Sequence, residues 1–255
     1  MMRFDKIIPN DKLRAYISYF VISENEQESV YKVFPSAGLV IGFQYRGQLK
    51  TLGTGMETNL KSAGITGISS QYKVFSNSAG IGTILVYFTE VGLAHFSSCP
   101  ANELFDLSIS LEDIFDKQKV RETEEKLAAS STDQQRIFIV EQFLLSQLRE
   151  IDRDKLIMEA VKLIHQTKGN IRIKDLNRIL TISQSPFEKR FRRMVGTSPK
   201  KFASIVRFNE VLSQLSSSKS LMDICFENDF FDQAHFSKDF KQFTGDSPEN
   251  FKRFM

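Results

Sequence analysis

Between Leu176 and Phe251 the chain carries one pattern twice, and this repeat constrains the fold more than any other feature. Phe187, Phe191, Gly196, Ser198, Pro199 and Phe202 recur as Phe236, Phe240, Gly245, Ser247, Pro248 and Phe251, each pair 49 residues apart. Leu176 and Ile224 match at 48, so the second copy holds one extra residue in its turn. Each copy predicts a short helix, a tight turn and a second helix, over 173–180 then 184–195 and over 221–228 then 233–243. Phenylalanines four apart fall on one helix face and pin the second helix of each pair to the first. The opposite face is polar and partly basic. That division suits a helix that enters a major groove while its partner crosses the backbone. Ser183 is placed to cap 184–195, with Pro186 in an early turn and Gly196 closing the helix. Ser198 is placed to cap a longer helix that has Pro199 in its first turn and Phe202, Ile205, Val206 and Val211 along it. Upstream, Leu156, Ala160, Val161 and Ile164 make an apolar stripe ended by Gly169 and Asn170.

Charge is distributed to match. The formal net charge of the 255 residues is only +3, but residues 171–207 hold ten basic side chains and two acidic ones. A local excess of cations in a near-neutral chain favours a polyanionic partner, because neutralising phosphates releases counterions. A solvated basic face is the alternative reading of charge alone. A helical protein-binding module without DNA binding is the alternative reading of the repeat, and would show a polypeptide partner with no salt-dependent duplex binding. An RNA-binding domain is disfavoured, since no segment interleaves glycine and aromatics as a stacking platform does.

Other chemistries find no anchor. Cys99 and Cys225 fit no disulfide framework or metal-ligand spacing, and His95, His165 and His235 have no cysteine or carboxylate partner at ligand spacing. Gly53–Gly55 reads as a turn, not a phosphate loop. No enzyme activity, cofactor or metal is expected. Residues 1–20 are too charged for a signal peptide, and no window approaches eighteen uncharged apolar residues, so a soluble cytoplasmic protein without membrane partners is expected.

The first half reads differently. Short runs rich in Val, Ile, Phe and Tyr at 15–22, 30–34, 39–44, 63–68, 71–75 and 81–88 are broken by glycine and polar turns, which predicts an antiparallel sandwich or barrel. Helical segments follow: a turn at 111–115, a helix over 119–129, and a helix over 133–148 that Thr132 caps and Ile137, Val140, Phe143, Leu144 and Leu148 make amphipathic. The charged stretch 149–154 marks a domain boundary. The fold class is therefore α+β in two domains, 1–148 and 149–255.

Specific residues carry a resemblance. Asp223-Ile-Cys-Phe-Glu-Asn-Asp-Phe-Phe-Asp-Gln-Ala-His-Phe-Ser-Lys-Asp-Phe-Lys-Gln-Phe-Thr-Gly-Asp-Ser-Pro248 resembles the signature of the AraC/XylS family of bacterial transcription regulators almost from end to end. Ile173-Lys-Asp-Leu through Gly196-Thr-Ser-Pro199 resembles that family's less stereotyped first unit. Residues 1–145 more weakly resemble the cupin-like sensor domain of one branch, through Phe34-Pro-Ser-Ala-Gly38, Gly64–Gly67 and Leu111–Phe115. The resemblance implies a cupin-like antiparallel β-barrel or sandwich with helices at 1–148, serving for sensing or dimerisation. It implies an all-α domain with two tandem helix-turn-helix units at 149–255. The implied function is transcription regulation through promoter or operator DNA, with RNA polymerase, a small-molecule effector and a second copy of the chain as further partners.

Carried over residue by residue, the base-reading positions fall on Ser185, Glu188 and Lys189 in the first recognition helix and on Gln233, Ala234 and Ser237 in the second. Gln233 can pair bidentately with adenine, Lys189 can donate to guanine, Glu188 can accept from cytosine N4, and Ala234 offers a methyl contact to thymine. Arg192, Arg193, Lys238 and Lys241 read as phosphate ligands, which set affinity and not sequence. If 1–148 holds an effector, Phe43, Tyr45, Tyr72 and Phe88 are the candidate pocket residues. Three departures from the family pattern stand out. Asp229 occupies a turn position where glycine is usual, and Cys225 a helix position where alanine is usual. Asn177 occupies the site equivalent to Cys225 in the first unit. Asp229 is expected at positive φ, which Asp tolerates less well than Gly.

Overall fold

The computed structural model describes residues 2–53, 57–215, 219–228, 230 and 233–253, with backbone alone for Gln233 and His235. Asp229 lies outside the described residues. The N-terminal half forms β1 (Met2–Ile7), β2 (Ile17–Asn25), β3 (Ser29–Val33), β4 (Val40–Arg46), β5 (Leu49–Leu52), β6 (Glu57–Asn59), β7 (Ala63–Thr66), β8 (Lys73–Asn77), β9 (Ile81–Phe88) and β10 (Ser108–Ser110). They pair antiparallel into a six-stranded sheet, β1-β2-β9-β4-β7-β10, and a four-stranded sheet, β3-β8-β5-β6. The six expected strands appear with ends shifted by a few residues, and four more join them. β1 mixes charged and apolar residues without a regular alternation and finds its place through its ladder to β2, Met2 opposite Asn25 to Ile7 opposite Phe20. β5, β6 and β10 are three or four residues long, too short for a period to show in sequence.

Helices α1 (Lys117–Ala129) and α2 (Asp133–Gln147) cover one face of the larger sheet. Thr132 and Gln135 close a reciprocal capping box at the start of α2. Phe143 of α2 meets Phe43 and Phe115 edge-to-face, both at 5.6 Å between ring centres. Residues 148–154 contain no helix or strand and lead into the second half.

That half is helical: α3 (Lys155–Gln166), α4 (Ile173–Ile179), α5 (Gln184–Val195), α6 (Pro199–Leu215), α7 (Leu221–Glu227), α8 (Gln233–Thr244) and α9 (Pro248–Arg253). Its core is a chain of aromatic contacts. Phe187 meets Phe191, Phe191 meets Phe202, and Phe208 meets both Phe240 and Phe243, at 4.6 to 5.7 Å. Burying such side chains contributes about 1.5–3 kcal/mol each. The two turns match. Ile182 N–H bonds to the Asn177 carbonyl at 3.1 Å and Phe230 N–H to the Cys225 carbonyl at 3.2 Å, donors and acceptors each 48 residues apart. Cys225 is buried in this core, whereas the Asn177 side-chain oxygen is buried without a hydrogen-bond partner among the described residues. The small side chain is thus the better fit to that site. Ser183 stands at the N-cap of α5 as expected, but its hydroxyl makes no capping bond.

The two halves are packed together. Ile68, 1% exposed, belongs to the helical core, and Phe34, Ala37, Val91 and Phe105 pack against it. His165 Nε2 lies 2.7 Å from Glu90 Oε1. Burial alone would raise the Glu90 carboxyl, yet the bond to His165 and a backbone hydrogen bond hold it below its usual range.

The first turn exposes a strained residue. Thr181, the repeat counterpart of Asp229, adopts φ +51°, where a β-branched side chain is disfavoured. Replacing it with glycine relieves about 1 kcal/mol of conformational strain, offset in part by the entropy glycine loses on folding. Thermal unfolding of Thr181→Gly is therefore expected to show equal or higher stability than wild type, and a clear loss would mean that Thr181 makes a compensating interaction.

Candidate nucleic-acid interface

Helical geometry sorts α5 into two faces. Phe187, Phe191 and Val195 are buried, while Ser185, Glu188, Lys189 and Arg192, spaced i, i+3, i+4 and i+7, form an outward stripe. Arg193 is exposed beside it. In α8 Phe236, Phe240 and Phe243 are buried, and Ala234, Ser237, Lys238 and Lys241 occupy the stripe positions 49 residues further on. Gln233 is the first residue of α8. The structure therefore brings Ser185, Glu188, Lys189 and Arg192 onto one face of α5, and Ala234, Ser237, Lys238 and Lys241 onto one face of α8.

The charges of α5 are not equivalent. Arg190 turns back to Asp154, with Nη2 to Oδ2 at 2.8 Å and Nε to Oδ2 at 3.1 Å. Asp154 also caps α3 by accepting from the Ile157 amide at 3.1 Å, so Arg190 is a structural cation. Arg192 and Glu188 form an i, i+4 pair at 2.8 Å on the stripe itself. Lys189 and Arg193 make no ion pair among the described residues, which leaves them ready to meet anions. Lys238 and Lys241 are exposed on α8, and cations in the last turn of each helix also suit the helix dipole.

The N-terminal half holds these helices from their C-terminal ends. Gly196 ends α5 at φ +103°, and a Cβ there would stand 3.2 Å from the Ala101 carbonyl oxygen. Its counterpart Gly245 follows α8 at φ +80°, and a Cβ there would stand 2.6 Å from the Tyr72 ring. Lys32 Nζ donates to the Thr244 carbonyl at 3.1 Å and pairs with Asp246 Oδ2 at 2.6 Å, while Phe34 meets Phe251 edge-to-face at 5.4 Å. One repeat position is thus gripped in both units. The N-terminal turns of α5 and α8 point the other way along each helix.

The candidate pocket residues lie in different surroundings. Phe43 and Phe88 are core, Phe88 packing on Phe96 at 5.5 Å. The Tyr45 hydroxyl donates to Glu24 at 2.7 Å beneath the Arg136 guanidinium. Tyr72 stands between Lys32 and Gly245 at the contact of the two halves. Sequence reasoning missed Lys32 and Asp246, whose separation leaves no local signal. Among the described residues no group of His, Cys, Asp and Glu is placed to hold a metal ion, and no helix is long and apolar enough to cross a membrane.

Comparison with known proteins agrees with this geometry. A family model described as a helix-turn-helix domain matches residues 176–253, and one described as a domain of unknown function (DUF6597) matches 5–110. The Msm operon regulatory protein of Streptococcus mutans is 31% identical over 119 residues, covering 45% of this chain and 43% of that protein. An uncharacterized HTH-type transcriptional regulator of Haemophilus influenzae is 27% identical over 116 residues, covering 45% of this chain and 38% of that protein. The chain thus spans less than half the length of these curated relatives. ToxT from Vibrio cholerae shares the overall fold, with a TM-score of 0.51 at 12% identity over 90% of this chain and 98% of ToxT. Residues 176–253 are thus similar to a helix-turn-helix domain family.

Proposed function

We propose that the chain is a sequence-specific double-stranded DNA-binding transcription regulator that reads adjacent major-groove segments with α5 and α8. The observation that carries this reading is the pair of outward stripes, Ser185-Glu188-Lys189-Arg192 and Ala234-Ser237-Lys238-Lys241, set at equivalent places on two helices whose other faces are buried. Ser185, Glu188, Lys189, Gln233, Ala234 and Ser237 contact bases, and Arg192, Arg193, Lys238 and Lys241 contact phosphates. The chain divides into a cupin-like domain over 1–148 and the DNA-binding domain over 149–255. The first is the seat of an effector or of pairing with a second copy, and the DNA-bound chain offers a surface to RNA polymerase. Its grip on the ends of α5 and α8 supports a regulatory part for the N-terminal domain, since a change there would be felt by both recognition helices.

Selection of duplexes from a randomised pool by the full chain tests the reading, with recovery of a defined site expected. On that site Arg192→Ala is expected to weaken binding to matched and scrambled duplexes by a similar factor. Gln233→Ala is expected to erase preference at one or two base pairs, costing about 1–3 kcal/mol of discrimination. Equal loss on both duplexes for Gln233→Ala would remove α8 from the bases. A chain that binds one polypeptide tightly and no duplex would instead favour the protein-interaction reading.

The Glu188–Arg192 pair gives a separate expectation. Both side chains are substantially exposed, so the pair stabilises α5 by only about 0.3–0.5 kcal/mol. Glu188→Ala removes an anion from the DNA-facing stripe and is expected to tighten binding to scrambled duplex at low salt with little change in melting temperature. Weaker binding to scrambled duplex would show that Glu188 holds Arg192 in place for phosphate contact.

A further inference from the structure

We propose that Gln184 is a base-reading residue, so that the DNA segment read by α5 carries an adenine at the place equivalent to the one read through Gln233. This rests on α5 and α8 being recognition helices. Both helices are twelve residues long and both open on glutamine, 49 residues apart. In helix-turn-helix proteins it is the N-terminal residues of the recognition helix that reach base edges. Gln184 occupies that end of α5 and is exposed, and its amide makes no hydrogen bond among the described residues. A glutamine amide offers one donor and one acceptor side by side, which match N6 and N7 of adenine in the major groove.

Its neighbours leave this role open. Ser185 offers a single hydroxyl and Pro186 has no side-chain donor or acceptor, so neither supplies the two-point contact of an amide. Glu188, one turn along, already has its carboxylate tied to Arg192. Lys189 is a point charge with donors only. Gln184 lies at the helix start in register with Phe187 and Phe191 and beside the outward stripe, and it is the exposed residue of the first turn whose amide pairs a donor with an acceptor. Its place at the free end of α5, away from the Gly196 end held by Ala101, keeps it clear of the N-terminal half.

The test uses the full chain and a randomised duplex pool. Wild type is expected to select adenine at one position in each of two segments. Gln184→Ala is expected to lose that preference in one segment only, with about a tenfold to hundredfold drop on matched duplex and no change on scrambled duplex. Because the side chain is exposed, the melting temperature is expected to match wild type. Gln184→Glu is expected to move the preference at that position towards cytosine, whose N4 group donates to a carboxylate. Selection by Gln184→Ala of the wild-type sequence with undiminished discrimination would overturn the proposal while leaving the DNA-binding reading intact. Equal loss on matched and scrambled duplexes would also overturn it, by making Gln184 a backbone contact. Selection of no sequence by wild type would overturn the DNA-binding reading and this proposal with it.

Discussion

The arrangement of α5 and α8 depends on one helix, α6, and on two phenylalanines along it. Phe202 takes Phe191 of α5 at 5.6 Å, and Phe208 takes Phe240 and Phe243 of α8 at 5.7 and 4.6 Å. With 17 residues, α6 is about 25 Å long at 1.5 Å per residue, and it fixes how the two units sit along one another. Removing a buried aromatic of this kind costs about 3–5 kcal/mol, a large part of what a domain of this size has to spare. The repeat in sequence is the record of this packing: the same residue recurs where the same face must meet α6 or its own short helix.

The N-terminal half adds a second constraint at the far ends of α5 and α8. Gly196 and Gly245 each need a left-handed backbone and each lie against a residue of that half. Lys32 adds a charge at the C-terminal end of α8, where carbonyl groups are exposed and a cation is favourable. The stripes proposed to meet nucleic acid are thereby kept apart from the surfaces that meet the rest of the chain.

Much of this was legible in the sequence wherever one face of a helix decides its fate. The phenylalanine spacing placed α5 and α8 to within a residue, and the Thr132 cap placed α2. Legibility failed where partners at long range decide. β1 is a strand because β2 offers it an edge, and its charged residues gave no period. Lys32 and Asp246 are separated by most of the chain and signal nothing locally. Asn177 shows the opposite case, since the sequence flagged an amide near a helix contact and its buried oxygen is found there without a partner.

The central claim is that α5 and α8 both enter the major groove of one duplex. Methylation interference across a selected site, read with the full chain, tests it most directly, because N7 of guanine lies in that groove. The account predicts interference in two separate segments on one side of the duplex, about one helical turn or 10–10.5 base pairs apart. Interference confined to a single segment, or none at all on a site that the chain binds tightly, would contradict it.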